Sequence, residues 1–222
     1  MSRTLGLVLV PALISLAVTF FRLAGELQRW SERWFSTATQ GVIPSGVNAL
    51  VGITWLAAPF GIYFALKLRD EGCGPRGTPR ACGHALAGLA VCLCGFFLVP
   101  FLPVSFPRIL LVIWSLSAVA AGLQWRGWPE LASTLLAYGL AARIPVVVIM
   151  FFAMSGNWGT HYDYVGMPEP FQMPLWPRFF WLAFFPQLVA WVGFTVLLGS
   201  LAGSIALALT GRRHAERVAV RT

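Results

Sequence analysis

Six stretches of about 20 residues run through this chain almost without charge. At a rise of 1.5 Å per residue, each can cross a hydrocarbon core roughly 30 Å thick as an α-helix. They lie near 4–21, 47–66, 84–102, 106–125, 129–154 and 186–209. Lipid offers no water to backbone N–H and C=O groups, so segments of this kind satisfy those groups internally and are helical. The expectation is an all-α, polytopic integral membrane protein: a bundle of about six transmembrane helices forming one domain over 1–222. Composition points the same way, with 58% of residues hydrophobic and only 11% charged, where a soluble domain carries about 25% charged. The first stretch follows Arg3 as a signal peptide would. It is longer than a signal core and no small-x-small site follows it, so it reads as a retained helix. Pro100, Pro103 and Pro107 force a tight break between the third and fourth stretches, which leaves open whether that pair crosses fully or is re-entrant.

The net charge of +8 comes almost wholly from arginine, Lys67 being the one lysine. A basic chain can serve nucleic acid, but here the charge sits in short connections and a tail, which suits membrane orientation instead. With both termini cytoplasmic, Arg3, Lys67, Arg69, Arg76, Arg80, Arg126, Arg212, Arg213, Arg217 and Arg221 fall on the inner side. Arg22, Arg29, Arg33, Arg108 and Arg178 fall on the outer side. The positive-inside rule favours that arrangement in a cell (inner) membrane, with an outer loop at 155–178 and a cytoplasmic tail at 210–222. The dominance of arginine over lysine hints at a GC-rich bacterial genome.

Both outward connections carry pattern. Over 22–35, Arg22, Glu26, Arg29 and Arg33 recur at helical spacing, and Leu23, Leu27, Trp30 and Trp34 repeat it one residue later. This predicts an amphipathic helix lying in the interface after the first span, with Trp30 and Trp34 as anchors; a partner-binding helix is the alternative. The 155–178 segment is rich in Gly, Pro and aromatics and predicts an ordered cap against the membrane surface.

Arg143 is the residue most out of place, about 12 residues from either end of the fifth stretch. A central arginine costs at least about 2.5–3.5 kcal/mol on insertion scales, so something must answer it. Gly139, one turn earlier, gives room beside it, and Pro145 frees the carbonyl of Ala141 as an acceptor. Three readings stand: a structural arginine on freed carbonyls, a site for a lipid-like anion, or a salt bridge to another subunit. His161 and Asp163 form a His-x-Asp pair with Glu169 nearby. In an extended segment both would point one way and could share a proton or a metal ion, but a hydrogen-bonded loop histidine is the default reading of the pair. Gly199 and Gly203, extended by Ser200 and Ser204, make a GxxxG stripe for close helix packing, internal or between copies. The four cysteines read as free thiols rather than a metal or disulfide framework. No phosphate-binding Gly-Lys loop, nucleophile elbow, HExxH or chain of carboxylates occurs, and neither a metal nor a cofactor is expected.

The leading expectation is therefore a non-enzymatic multi-pass membrane protein, either an accessory subunit of a membrane complex or a binder of a lipid-like anion near Arg143. Membrane lipids, and a protein partner or a second copy, would be its partners, and nucleic acid would not. The alternatives are a membrane-embedded enzyme acting on lipid through His161 and Asp163, and a small-molecule transporter.

Overall fold

From Ser15 onward, helix α1 (Arg3–Leu27) turns its polar side chains to the buried side and large apolar ones to the exposed side. Ser15, Thr19, Arg22 and Glu26 recur at spacings of four, three and four, which aligns them on one helical face. All four are buried, while Leu9, Leu13, Phe20 and Phe21 are exposed. Such an inversion is stable only where the surrounding solvent is hydrocarbon. The computed structural model describes residues 3–37, 50–98, 101, 103, 105–163 and 172–219.

Every regular element among the described residues is helical. After α1 come α2 (Ala57–Asp70), α3 (Thr78–Leu98), α4 (Phe106–Gly127), α5 (Pro129–Gly156), a short α6 (Leu175–Phe179) and α7 (Val192–Ala219). Five helical stretches among the described residues are long and apolar enough to cross a membrane: Thr4–Leu27, Thr78–Leu98, Pro107–Gly127, Pro129–Gly156 and Leu175–Thr210. The chain is thus a multi-pass membrane protein by length and composition of its helices. The expected span at 47–66 is not among the five. A 3₁₀ turn at Thr54–Leu56 leads there into α2, which has 14 residues, about 21 Å by helical rise, and residues 47–49 lie outside the described ones, as do Pro100 and Glu169. Helices α3 and α4 are each long enough to cross.

Two expectations about boundaries change. The interfacial helix over 22–35 does not form: α1 ends at Leu27, and 28–35 is a series of turns with Arg29 at a left-handed φ of 51°. Arg22 and Glu26 belong to the buried stripe of α1 rather than to a surface stripe with Arg29 and Arg33. The last helix begins well before Pro186. The backbone widens into π-helical turns at Phe180–Phe184 and Pro186–Trp191, so that the N–H of Phe185 reaches the carbonyl of Phe180, five residues back. Pro186 has no N–H for the carbonyl of Leu182 and its ring crowds that turn, and a π-turn is one way a helix absorbs this.

The chain divides into two compact units. The first comprises Met1–Leu56 and Tyr138–Val192, and the second Ala57–Ala137 and Gly193–Thr222. In the second, α2 and α7 meet through small side chains. A methyl group added at Gly61 would overlap the backbone of Gly199, and one at Gly203 would lie 2.8 Å from both the Gly61 carbonyl and the Ala65 Cβ. Ala57, Gly61 and Ala65 thus present to Gly199 and Gly203 a small-residue stripe of the same four-residue period. Leu131 and Leu135 of α5 close over these glycines. Helices α3 and α4 pack along one another. The Gln124 amide, in the last turn of α4, ties it to the start of α3, donating to the carbonyls of Ala120 (2.8 Å) and His84 (3.3 Å). None of the four cysteines forms a disulfide.

Candidate functional site

The buried stripe of α1 leads to a cluster of ionisable side chains, Arg22, Glu26 and His161, all within the first unit. Helix α1 has 25 residues, about 37 Å by rise, so its last turns reach the edge of a core roughly 30 Å thick. At that end the Glu26 side chain is 0% exposed and accepts from three donors. Arg22 Nε lies 2.9 Å from Oε1, the backbone N–H of His161 2.9 Å from Oε2, and the imidazole Nδ1 of His161 2.6 Å from Oε1 and 2.7 Å from Oε2. The Arg22–Glu26 spacing of four is a one-turn ion pair, and burial makes its hydrogen bonds obligatory rather than optional.

A carboxylate only accepts, so the proton of His161 is on Nδ1 and the lone pair of the neutral ring is on Nε2. Burial holds the imidazole below its ordinary value of 6.5, and the Arg22 charge adds to that lowering. The Glu26 carboxylate pulls the other way without prevailing. About a quarter of the His161 side chain remains exposed (26%). The result is a neutral, oriented imidazole with a basic nitrogen turned away from its carboxylate, the arrangement that general acid–base sites use to fix a tautomer.

Asp163 does not share in this. Residues His161–Asp163 form a 3₁₀ turn rather than an extended segment, so positions two apart no longer point the same way. The Asp163 carboxylate is buried and closes its own loop: the Gly159 N–H donates to Oδ2 at 2.7 Å, and the Thr160 hydroxyl to Oδ1 at 2.8 Å. Gly159, at φ 70°, supplies the left-handed turn this needs. Tyr162 is buried between the two, its hydroxyl 3.5 Å from the Thr19 carbonyl, and burial raises its phenol. One member of the expected His-x-Asp pair thus faces Glu26, 135 residues away in sequence, and the other holds the loop.

Arg143, 5% exposed, lies on α5 in the same unit. Its Nη1 donates to Gln187 Oε1 (3.1 Å) and its Nη2 to the Thr54 hydroxyl (3.1 Å), while its guanidinium stands 5.0 Å from the centre of the Trp191 ring. All three of these groups belong to side chains. Gln187 and Trp191 both belong to the π-turn at Pro186–Trp191. Gly139 is buried one turn before Arg143. Further up the stripe, Ser15 Oγ and the Tyr138 hydroxyl are 2.8 Å apart. Trp30 and Trp34 are exposed, Trp30 in edge contact with Phe21 and Phe35.

Sequence reading missed Arg22, Glu26, Gln187 and Thr54 as site residues. A lone Gln inside an apolar span and a buried-face period running back to Ser15 were the signals available. Comparison of the chain with protein-family models, with curated proteins and with solved structures finds no match in any of the three.

Proposed function

We propose that the protein is a membrane-embedded enzyme in which His161 acts as general base on a lipid-like substrate at the membrane surface, with Glu26 and Arg22 as positioning residues. The observation that carries this is the fully buried Glu26 carboxylate receiving both the backbone N–H and Nδ1 of His161. Nε2 would take the proton of a water or alcohol as its oxygen attacks an ester or phosphoester of the headgroup, then return it to the leaving oxygen. Glu26 would stabilise the transient imidazolium, and Arg22, sharing the carboxylate, would keep the ring neutral between turnovers. Positioned proton transfer of this sort contributes about 10²–10⁴-fold. With both termini cytoplasmic, as the basic residues suggest, the site would face the outer leaflet of the cell membrane.

The test is reconstituted protein incubated with extracted membrane lipids and followed by lipid mass spectrometry. His161→Ala should abolish product formation while folded yield is unchanged, and Asp163→Asn should lower yield more than activity per folded molecule. If His161→Ala and Glu26→Gln both leave every lipid conversion at the wild-type rate, the acid–base reading is wrong.

The fixed cation at Arg143 favours a second reading. Gln187, Thr54 and Trp191 hold its buried guanidinium in place, so that a positive charge stands oriented inside the first unit. Binding of a lipid-like anion there, with no chemistry, would leave His161 variants silent and make Arg143→Leu the variant that loses ligand.

A further inference from the structure

A cavity of about 350 Å³ opens in the first unit, lined by Val18, Phe21, Trp34, Phe35, Leu50 and Val51. We propose that it is a binding site for an anionic phospholipid, with one acyl chain in the cavity and the phosphate held by Arg29 and Arg33. This goes beyond the acid–base reading and does not require it.

Of these six side chains only Trp34 carries a polar atom, its indole N–H, and a single donor is fewer than the two to four polar partners an ordered water needs. Left empty, its walls would forfeit dispersion contacts on one side. Val18 and Phe21 are on a membrane-crossing helix, and in that setting the available filler is a hydrocarbon chain. The volume lies within the range of ligand pockets.

A chain moving from bilayer to cavity gains no hydrophobic energy, because lipid is already apolar. Preference for one lipid over another must therefore come from the headgroup. The turns at 28–35 supply the means. Trp34 and Phe35 are cavity walls, and Trp30 stacks edge-on against Phe21 at 5.7 Å and Phe35 at 5.3 Å. Arg29 and Arg33, both exposed, alternate with the two tryptophans. With Glu32 between them the turns keep a net charge of +1 (two arginines less one glutamate). Aromatic rings at headgroup depth with arginines interleaved suit a phosphate above a buried chain.

The experiment uses the full chain in phosphatidylcholine vesicles doped with a trace of phosphatidylglycerol or of phosphatidylcholine bearing a diazirine on one acyl chain. Labelled residues are mapped by mass spectrometry. Phosphatidylglycerol should label the peptides around Val18, Phe21 and Trp34 more than phosphatidylcholine does, by about fivefold for each arginine that engages it. Arg29→Gln with Arg33→Gln, both at exposed positions, should bring that ratio to near one, and Glu32→Gln should raise it. Val51→Trp should empty the cavity of label while exposed Leu86 and Phe96 on α3 keep theirs. Equal labelling by the two lipids in the wild type, or a ratio untouched by the arginine variants, would overturn the proposal. So would label no denser at the cavity than on α3. His161→Gln should change none of these readouts, so this proposal and the acid–base one fail separately.

Discussion

Each of the two units of the chain is held together internally, and the means are opposite. In the first, α1 turns hydroxyls and charges inward, and its stripe is tied by side-chain hydrogen bonds to residues more than 100 positions away: Ser15 to Tyr138 and Glu26 to His161. In the second, α2 and α7 meet where side chains are nearly absent, at Gly61, Gly199 and Gly203. Both answer the same problem. Lipid supplies no hydrophobic drive for helices to associate, which leaves close packing and polar bonds as the available forces. Close packing needs no charge. A fully buried carboxylate with two cationic or ionisable neighbours is a costlier way to fasten a helix, and that extra cost is the physical reason to look for chemistry in the first unit and architecture in the second.

The comparison breaks most sharply at Glu26. Glu26→Ala leaves Arg22 buried without its carboxylate and removes the acceptor for both donors of His161. Removing one partner of a buried pair costs about 3–5 kcal/mol, so thermal unfolding in detergent should show a large loss of stability. Replacing Arg22 and Glu26 together by leucines should cost clearly less than the sum of the two single changes, because no charge is then stranded. If Glu26→Ala melts like the wild type, the first unit is not held by this cluster.

The second unit should break less severely and unevenly. A methyl group at Gly61 meets the backbone of Gly199, whereas one at Gly199 meets chiefly the flexible end of Leu135. Overpacking costs about 1–3 kcal/mol, and Gly61→Ala should fall at the upper end and Gly199→Ala at the lower. Equal melting points for the two would show that α7 shifts as easily as a leucine tip, and that the small-residue contact is not tight.

Much of the second unit was readable from sequence because its logic is local. Apolar runs mark helices, and a GxxxG marks a helix face whose neighbours are one turn apart. What could not be read was which helix it meets, since Ala57, Gly61 and Ala65 look like ordinary apolar filling until α7 is beside them. The first unit was harder. Arg22 and Glu26 share a helical period forward with Arg29 and Arg33 and backward with Thr19 and Ser15, and the sequence does not show that the backward one is the buried face. Charges draw attention that hydroxyls do not, and the correct face runs through hydroxyls. Pairing His161 with Asp163 followed from adjacency and an assumed extended backbone. The true partner is on another helix, and one sequence carries no signal for such a pair. A central arginine needs an answer, but Gln187 reaches Arg143 from a π-turn that sequence periodicity does not contain.

The mildest difference between the units should appear with pH. Burial keeps the folded-state imidazole of His161 below the 6.5 expected when it is exposed, so between those two values the unfolded chain binds the extra proton. Stability then rises with pH through that interval, is fully present above about 6.5, and is lost as the solution is acidified below it. Melting in detergent should drop by a few degrees from pH 7.5 to pH 5.5. His161→Gln, which cannot titrate, should lose that part of the dependence while keeping an amide donor for Glu26. A wild type that grows more stable on acidification through this range would mean that the ion pair with Glu26 outweighs desolvation. His161 would then rest as the imidazolium, with no lone pair on Nε2 and no base to offer a substrate.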